Sequence, residues 1–559
     1  MNLKRLGFFG QRAIGDPSVL TTAKRTSQTS RNPMMLPTQI FQVRPTGWAT
    51  DPEDEYFPLS TLDYSVAQVW CNYALFFKLP SADLESQFRI TNILRSGLER
   101  TISQVRQLSG TLTTHPSGSG LCWHKKRSGT VAFHAQWLDP VNANHKLLTF
   151  DDLESRHFLG SAMGDPEMWC VPGFLGGERP EATPAHRPRA AAYKATFIPG
   201  GMVFMMHHHH FSGDIMAWSG QLRQLASNCA AIYSSSSRTP GTPSPAFIPW
   251  DPASLDLSRV TKPDVPEPQR VTGPTPPQRH PAHRPSQRLL FHLPKSKIAD
   301  LKKLATPPAD DGTGRWASSY DAYMAYIWRV LSKHKTQLYN WDLTEPLLWG
   351  EAIDMRRRFR DPPVPRDMQG NVVFVAISNR SEVPQFTAEE VVSSAQFWKL
   401  AWYIRQLTNS ATQESLDATL TALAPVRDKT TLFFRADAFH PTGSLSTDWR
   451  DARPCEVDFG FARPYAFRWP FETVQSNMWV TYPTRVNGAP AGEDEGTELS
   501  LPVEKEIVAA LLEDPEWNRY FEFRGVEVDD GEVVIESGEV VDGKIKIDVE
   551  TKIVETVAL

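Results

Sequence analysis

Between Ser234 and Gln287 this chain can form neither a long helix nor a paired strand, and that stretch dictates how the rest must be arranged. It opens on four consecutive serines, Ser234 to Ser237, and then holds thirteen prolines from Pro240 to Pro285. Proline removes a backbone donor and breaks helix and sheet ladders alike. A structureless run of that length is uncommon inside one domain, so it reads as a crossover between two large halves. The 45 prolines are about 8% of the chain against about 5% in average usage, and their clustering makes the excess a boundary marker. The 559 residues would allow three or four units at about 150 residues each. The crossover reduces that to two halves with appendages. The expected organisation is a basic tail at 1–35, an N-terminal half at 36–233, the crossover at 234–288, a C-terminal half at 289–524 and an acidic tail at 525–559.

The tails carry most of the charge asymmetry. Residues 1–35 hold six basic side chains against one acidic, and residues 525–559 hold ten acidic against three lysines. The body between them is nearly neutral, which argues against a nucleic-acid surface. The basic tail reads as dispensable, with a loose fit to a mitochondrial transit peptide as the alternative. No run of 18 or more apolar residues exists and no secretory h-region opens the chain, so neither a membrane span nor secretion is expected. Five widely spaced cysteines without a CxxC pair suit a reducing compartment, and the cytoplasm is the expected location.

Periodicity locates the main elements. Leu94, Leu98, Ile102 and Val105 predict a helix starting near Asp83 and stopping by Gly110, and Thr130–Trp137 reads as a strand. The apolar run Gly201–Met206 predicts a buried strand. It leads through His207-His208-His209-His210-Phe211-Ser212-Gly213-Asp214 into a helix whose one face holds Ile215, Trp218, Leu222, Leu225, Cys229 and Ile232. Tyr320, Tyr323, Met324, Ile327, Trp328 and Leu331 predict another helix, with Ser318 or Ser319 able to cap it. In the acidic tail, Asp529-Asp530-Gly531 and Asp542-Gly543 predict the turns of a small appended β-meander.

Three roles fit the histidine run from residue type alone. A histidine at a strand end beside a helix start can act as a general base, since its ordinary pKa of about 6.5 lets it accept a proton near neutrality. On a strand, His208 and His210 would share a face. Gly213 would permit a sharp turn, and Asp214 could cap the helix or hold a cation. A metal site is the second role, but adjacent histidines splay apart, no His-x-x-x-His pair with a glutamate occurs and no cysteine is near. Purely structural histidines are the third. Serine-hydrolase, phosphate-loop, dinucleotide-binding and zinc-protease signatures are absent from the sequence.

The second signal lies about 250 residues later, at Asp458-Phe459-Gly460-Phe461-Ala462-Arg463-Pro464. Together, in this order and separation, His209-His210-x-x-x-Asp214 and Asp458-Phe459-Gly460 resemble the HHxxxD and DFGWG hallmarks of the BAHD family of CoA-dependent acyltransferases, the fungal trichothecene 3-O-acetyltransferase-like members above all. Leu59-Ser60-Thr61-Leu62-Asp63 resembles the family's opening L-S-x-L-D. Ile353–Arg358 with Pro362–Pro365 and Gly370-Asn371 resembles its V-D-x-R-x-R, P-P-x-P and G-N segments. The resemblance covers about residues 40–524. It departs from the pattern at Phe461, where the family has tryptophan, and at Ala462, which would be strained if that turn position needed φ > 0.

The resemblance implies an α/β, two-domain, chloramphenicol-acetyltransferase-like fold. Each half would have a mixed sheet with flanking helices, and an active-site channel would run between them. His210 would be the general base. Asp214 would turn away from substrate and pair with an arginine, for which Arg356 is the candidate, and Asp458 and Gly460 would be structural. Acetyl-CoA or another acyl-CoA would be co-substrate, with no bound cofactor and no metal. The partners would be that thioester and a small alcohol, transfer would be direct in a ternary complex, and the chain would be a monomer. Two alternatives stay open: a catalytically inactive relative that binds a ligand or partner, and an amide-forming condensation-domain-like enzyme.

Overall fold

A computed structural model describes residues 38–80, 83–138, 148–236, 247–308, 314–485 and 494–531, with two short strands at 540–541 and 544–545. The basic tail expected at 1–35 lies outside the described residues.

Two sheets organise the molecule. The first has six strands in the spatial order Gln39–Val43, Val131–Trp137, Ala191–Ile198, Gly201–His209, Trp70–Lys78 and Ala466–Arg468. Gly201–His209 is central and buried along its whole length. It pairs antiparallel with Ala191–Ile198 on one side and Trp70–Lys78 on the other, which sets Asn72 opposite His207 and Trp70 opposite His209. Two helices, Leu84–Gln104 and Ile215–Ser236, pack together with this sheet. Trp218, Leu222, Leu225 and Cys229 are buried there as their spacing requires, each large apolar side chain contributing about 1.5–3 kcal/mol. Asp83 caps the first of these helices by accepting from the Ser86 amide, and the chain then tightens through a 3-10 turn, Arg106–Ser109, before Gly110.

The second sheet has seven strands in the order Val373–Ile377, Trp349–Asp354, Ser444–Asp448, Met478–Tyr482, Thr497–Glu504, Ser286–Leu293 and Glu522–Asp529. Helix Ser319–Leu338 packs here, its buried face carrying Tyr323, Met324, Ile327, Trp328 and Leu331. Ser318 and Asp321 form a reciprocal capping box at its start. A small three-stranded sheet of Asp54–Pro58, Leu121–Lys126 and Thr111–Thr114 stands apart. Both sheets are mixed and each is flanked by helices, the two-half α/β arrangement expected. The halves exchange material, because Ala466–Arg468 leaves the C-terminal half and pairs with Trp70–Lys78. Among the described residues no helix is long and apolar enough to cross a membrane.

One expected boundary moves. Residues 525–529 do not open an appended meander. They finish the strand Glu522–Asp529, which pairs antiparallel with Ser286–Leu293 across two register shifts. Its Glu527 is only 3% exposed and receives the Tyr482 hydroxyl at 3.3 Å. The local Asp-Gly signal suggested a hairpin. The partner strand actually used lies more than 200 residues earlier, where no local pattern reveals it. Residues 532–539, which would follow the first of the expected turns, lie outside the described residues, while Val540–Val541 pairs with Lys544–Ile545.

Candidate active site

The site forms where the strand Gly201–His209 ends and the helix Ile215–Ser236 begins. The strand stops at His209, and His210 opens a 3-10 turn, His210–Ser212. The strand alternation that would put His208 and His210 on one face therefore no longer governs His210. The turn is tight enough that a Cβ on Gly213 would lie 2.6 Å from that of Ala217, which fixes glycine at that position.

The four histidines separate by what their rings bond. His207 accepts from the Val171 amide through Nε2 (3.2 Å), so its proton sits on Nδ1, which donates to Asn72 Oδ1 (2.8 Å). His209 accepts from the Phe211 amide through Nδ1 (3.1 Å) and donates from Nε2 to the Ala182 carbonyl (2.8 Å). His208 donates from Nε2 to the Gly213 carbonyl (3.0 Å). Burial pushes His207 and His208 down to about 3 and His209 down to about 4, so all three are neutral at physiological pH. They are structural donors and acceptors. His210 differs in being partly exposed and in having neither ring nitrogen hydrogen-bonded among the described residues, whereas His208 leaves only its Nδ1 without a partner. Burial lowers its pKa as well. Against that, its own carbonyl, the Gly213 backbone, the Asn371 side chain and the charge of Asp214 all favour the protonated ring.

Asp214 and Arg356 are brought together. Asp214 Oδ1 accepts from the Met216 and Ala217 amides (3.0 and 2.9 Å), capping the helix. The same carboxylate takes the two guanidinium termini of Arg356, Nη2 to Oδ1 at 2.9 Å and Nη1 to Oδ2 at 3.0 Å. Its Oδ2 also accepts from the Val372 amide at 2.8 Å. Arg356 spends its remaining donors on Met368 O (2.9 Å), Asp354 Oδ1 (2.8 Å) and Gly370 O (3.1 Å). Burial pushes Asp214 upward, but the Arg356 charge and its hydrogen bonds outweigh it and hold the carboxyl below its ordinary value. The turn beginning at His210 is thus tied to Ile353–Arg358 and to Gly370–Val372, more than 140 residues away in the chain.

Asp458 and Gly460 are not part of this cluster. Gly460 has φ +84°, and a Cβ there would lie 2.9 Å from Ala230 and Tyr233, near the far end of the helix that Asp214 caps. The separation from Asp214 to Ala230 corresponds to about 24 Å along the axis. Asp458 Oδ1 accepts from the Gly460 amide (2.8 Å), and Phe459 inserts against Phe77 and Phe204. Ala462 does not have a positive φ, so the strain expected of it is absent.

Sequence reasoning assigned no role to Asp63 and Asn371. Both are buried, and Asn371 Nδ2 bridges Asp63 Oδ1 (2.9 Å) and the His210 carbonyl (2.9 Å). The available signal was their position in the Leu59–Asp63 and Gly370-Asn371 segments, each as unremarkable alone as any aspartate or asparagine. Among the described residues no group of three or more His, Cys, Asp or Glu side chains is arranged to hold a metal ion.

Comparison with known proteins places this geometry. A family model described as the Transferase family matches residues 183–516, and a trichothecene 3-O-acetyltransferase-like N-terminal domain matches 69–229. The chain is 46% identical over 489 residues to acetyltransferase FGR3 of Gibberella zeae, covering 87% of this chain and 94% of the relative. It is 22% identical to trichothecene 3-O-acetyltransferase TRI101 of Fusarium sporotrichioides, covering 59% and 67% of the two chains. Among solved structures, F. graminearum TRI101 in complex with coenzyme A and T-2 mycotoxin superposes with a TM-score of 0.65 at 17% identity, over 84% of this chain and all of that one. Vinorine synthase superposes with a TM-score of 0.54 at 16% identity, over 85% and 95% of the two chains.

Proposed function

The chain belongs to the Transferase family of BAHD-type acyltransferases, and from that premise we propose that it moves an acetyl group from acetyl-CoA to a hydroxyl of a small metabolite, with His210 as general base. The observation that carries this reading is the division among the four histidines. Three have rings committed to structural hydrogen bonds, and only His210 stands partly exposed on a turn locked by Asp214 and Arg356. The acetyltransferase FGR3 relative supports acetyl as the group moved, and the coenzyme A and toxin held by TRI101 support a thioester donor and a small-molecule acceptor.

In this mechanism Nε2 of His210 removes the acceptor's hydroxyl proton as the oxygen attacks the thioester carbonyl. The tetrahedral intermediate collapses, the carbon–sulfur bond breaks, and the imidazolium returns the proton to the departing CoA thiolate. Atoms and charge balance without a covalent acyl-enzyme. Asp214 takes no proton. It keeps the turn and Arg356 in register. Asp458 and Gly460 act at a distance, by docking the helix Ile215–Ser236. The enzyme acts as a cytoplasmic monomer, with halves at 36–236 and 286–529 and a crossover at 237–285, its ends set by the helix Ile215–Ser236 and the strand Ser286–Leu293. The absence of strain at Ala462 removes one reason to read the chain as an inactive binding protein.

The test is release of free CoA thiol from acetyl-CoA over a panel of metabolite alcohols, with His210→Ala as the comparison. A general base contributes about 10²- to 10⁴-fold, so His210→Ala should lose at least that much kcat. Undiminished turnover in His210→Ala would sink the assignment.

A further inference from the structure

Asp214 ties down one end of the turn His210-x-x-x-Asp214. The other end is tied as well, by residues to which the mechanism above gives no part. Asp63 lies in a 3-10 turn, Leu62–Ser65, and is 1% exposed, yet among the described residues no cation pairs with it. Its partners are amides and a hydroxyl. Oδ2 accepts from the Ser60 amide (2.7 Å), while Oδ1 accepts from both the Asn371 amide (2.8 Å) and Asn371 Nδ2 (2.9 Å). Its own amide donates to Ser60 Oγ (3.1 Å).

These bonds leave the Asn371 side chain one orientation. Both Nδ2 hydrogens are committed, one to Asp63 Oδ1 and one to the His210 carbonyl. Reversing the amide would turn its oxygen onto a carboxylate and a carbonyl, two acceptors that offer no proton. Asn371 Oδ1 is then buried without a partner, and so is His210 Nδ1. The orphan acceptor belongs to the residue that grips the His210 carbonyl, the orphan nitrogen belongs to the His210 ring, and the Asn371 side chain favours that ring's protonated form, so the two are complementary.

We infer that Asp63 and Asn371 are positioning residues for His210: Asp63 fixes the Asn371 amide, and Asn371 fixes the His210 backbone and presents its oxygen to Nδ1. A proton held on Nδ1 leaves Nε2 as the free base. The functional meaning of this relay rests on His210 being the general base, but its structural content does not. The titratable groups that face His210 are Asp214, His208 and His209. The two histidines are neutral, Asp214 is paired with Arg356, and none is altered by the variants below.

The test is ¹³C/¹⁵N-histidine NMR of the full chain, with the His210 resonances identified by their absence in His210→Ala. Wild type should show the Nδ1–H tautomer. In Asn371→Ala, loss of an acceptor for the protonated ring should lower the His210 pKa by about one pH unit and mix the tautomers. Asp63→Asn keeps the volume and should move both readouts in the same direction. It carries the test if Asn371→Ala does not fold. Turnover of acetyl-CoA with an accepted alcohol should fall roughly 10²-fold in kcat through mispositioning, with the KM for acetyl-CoA little changed. An unchanged tautomer and pKa in every folded variant would overturn the relay. If those shift while His210→Ala keeps its turnover, the relay stands and the general-base reading falls.

Discussion

Replacing Asp214 with alanine is the perturbation whose size the structure best defines. The carboxylate is 12% exposed and its partner guanidinium 1% exposed. Alanine strips Arg356 of its bidentate partner and leaves it with Asp354, which is 29% exposed, and two carbonyls. Removing one member of a buried pair costs about 3–5 kcal/mol. Losing the cap of the helix Ile215–Ser236, with its Met216 and Ala217 amides, adds about 1 kcal/mol. A loss of about 4–6 kcal/mol is large against the 5–15 kcal/mol typical of a folded unit. At about 2 °C per kcal/mol it lowers Tm by roughly 8–12 °C. The assay is calorimetric or fluorescence-detected melting of Asp214→Ala beside Asp354→Ala, whose more exposed carboxylate should matter far less. The pH dependence has a definite sign. The folded-state pKa of Asp214 is depressed, so its contribution is present above about pH 4, the unfolded carboxylate value, and is lost as pH falls through the folded pKa. Wild type should therefore lose Tm on acidification below about pH 4 more steeply than Asp214→Ala. Equal melting of the two variants at pH 7 would refute the claim that this pair locks the turn.

Two further outcomes follow from the packing. Gly460→Ala should destabilise strongly, because φ is +84° and the new Cβ would meet Ala230 and Tyr233 at 2.9 Å, whereas Ala462→Gly should gain nothing because Ala462 is unstrained; comparative melting of the two checks this. Burial raises the pKa of all five buried cysteines, with Cys71, Cys170 and Cys455 pushed up to about 12, so the native protein should react slowly with a thiol reagent at pH 8, and rapid modification of any of them without unfolding would contradict the packing.

Much of the frame was legible in the chain. Apolar runs and helical spacing are local properties, so a strand at Gly201–Met206, the helix Ile215–Ser236 and the capped helix Ser319–Leu338 followed from neighbouring residues, while the strand's continuation through His209 did not. The prolines of the crossover marked the division into halves for the same reason. Proline's effect on the backbone is intrinsic and needs no partner. The order and spacing of His210, Asp214, Asp458 and Gly460 suggested the family, and with it the likeness of Arg356 to an ion-pair partner.

What residue chemistry alone could not rank was one histidine against another; only the resemblance to the HHxxxD pattern pointed to His210. His207, His208, His209 and His210 are chemically identical, and the structure separates them only through what the fold sets beside each ring: Asn72 and Val171 for His207, Gly213 for His208, Ala182 and Phe211 for His209, and partial exposure for His210. The same holds for Asp63 and Asn371, 308 residues apart in the chain and joined by two hydrogen bonds. It holds for the strand Glu522–Asp529, whose partner lies in the other sequence region of its sheet. Propensity and periodicity are written along the chain and act over a few residues. Hydrogen-bond satisfaction and desolvation depend on distances that exist only after the chain has closed on itself, and those terms set His210 apart from its three neighbours.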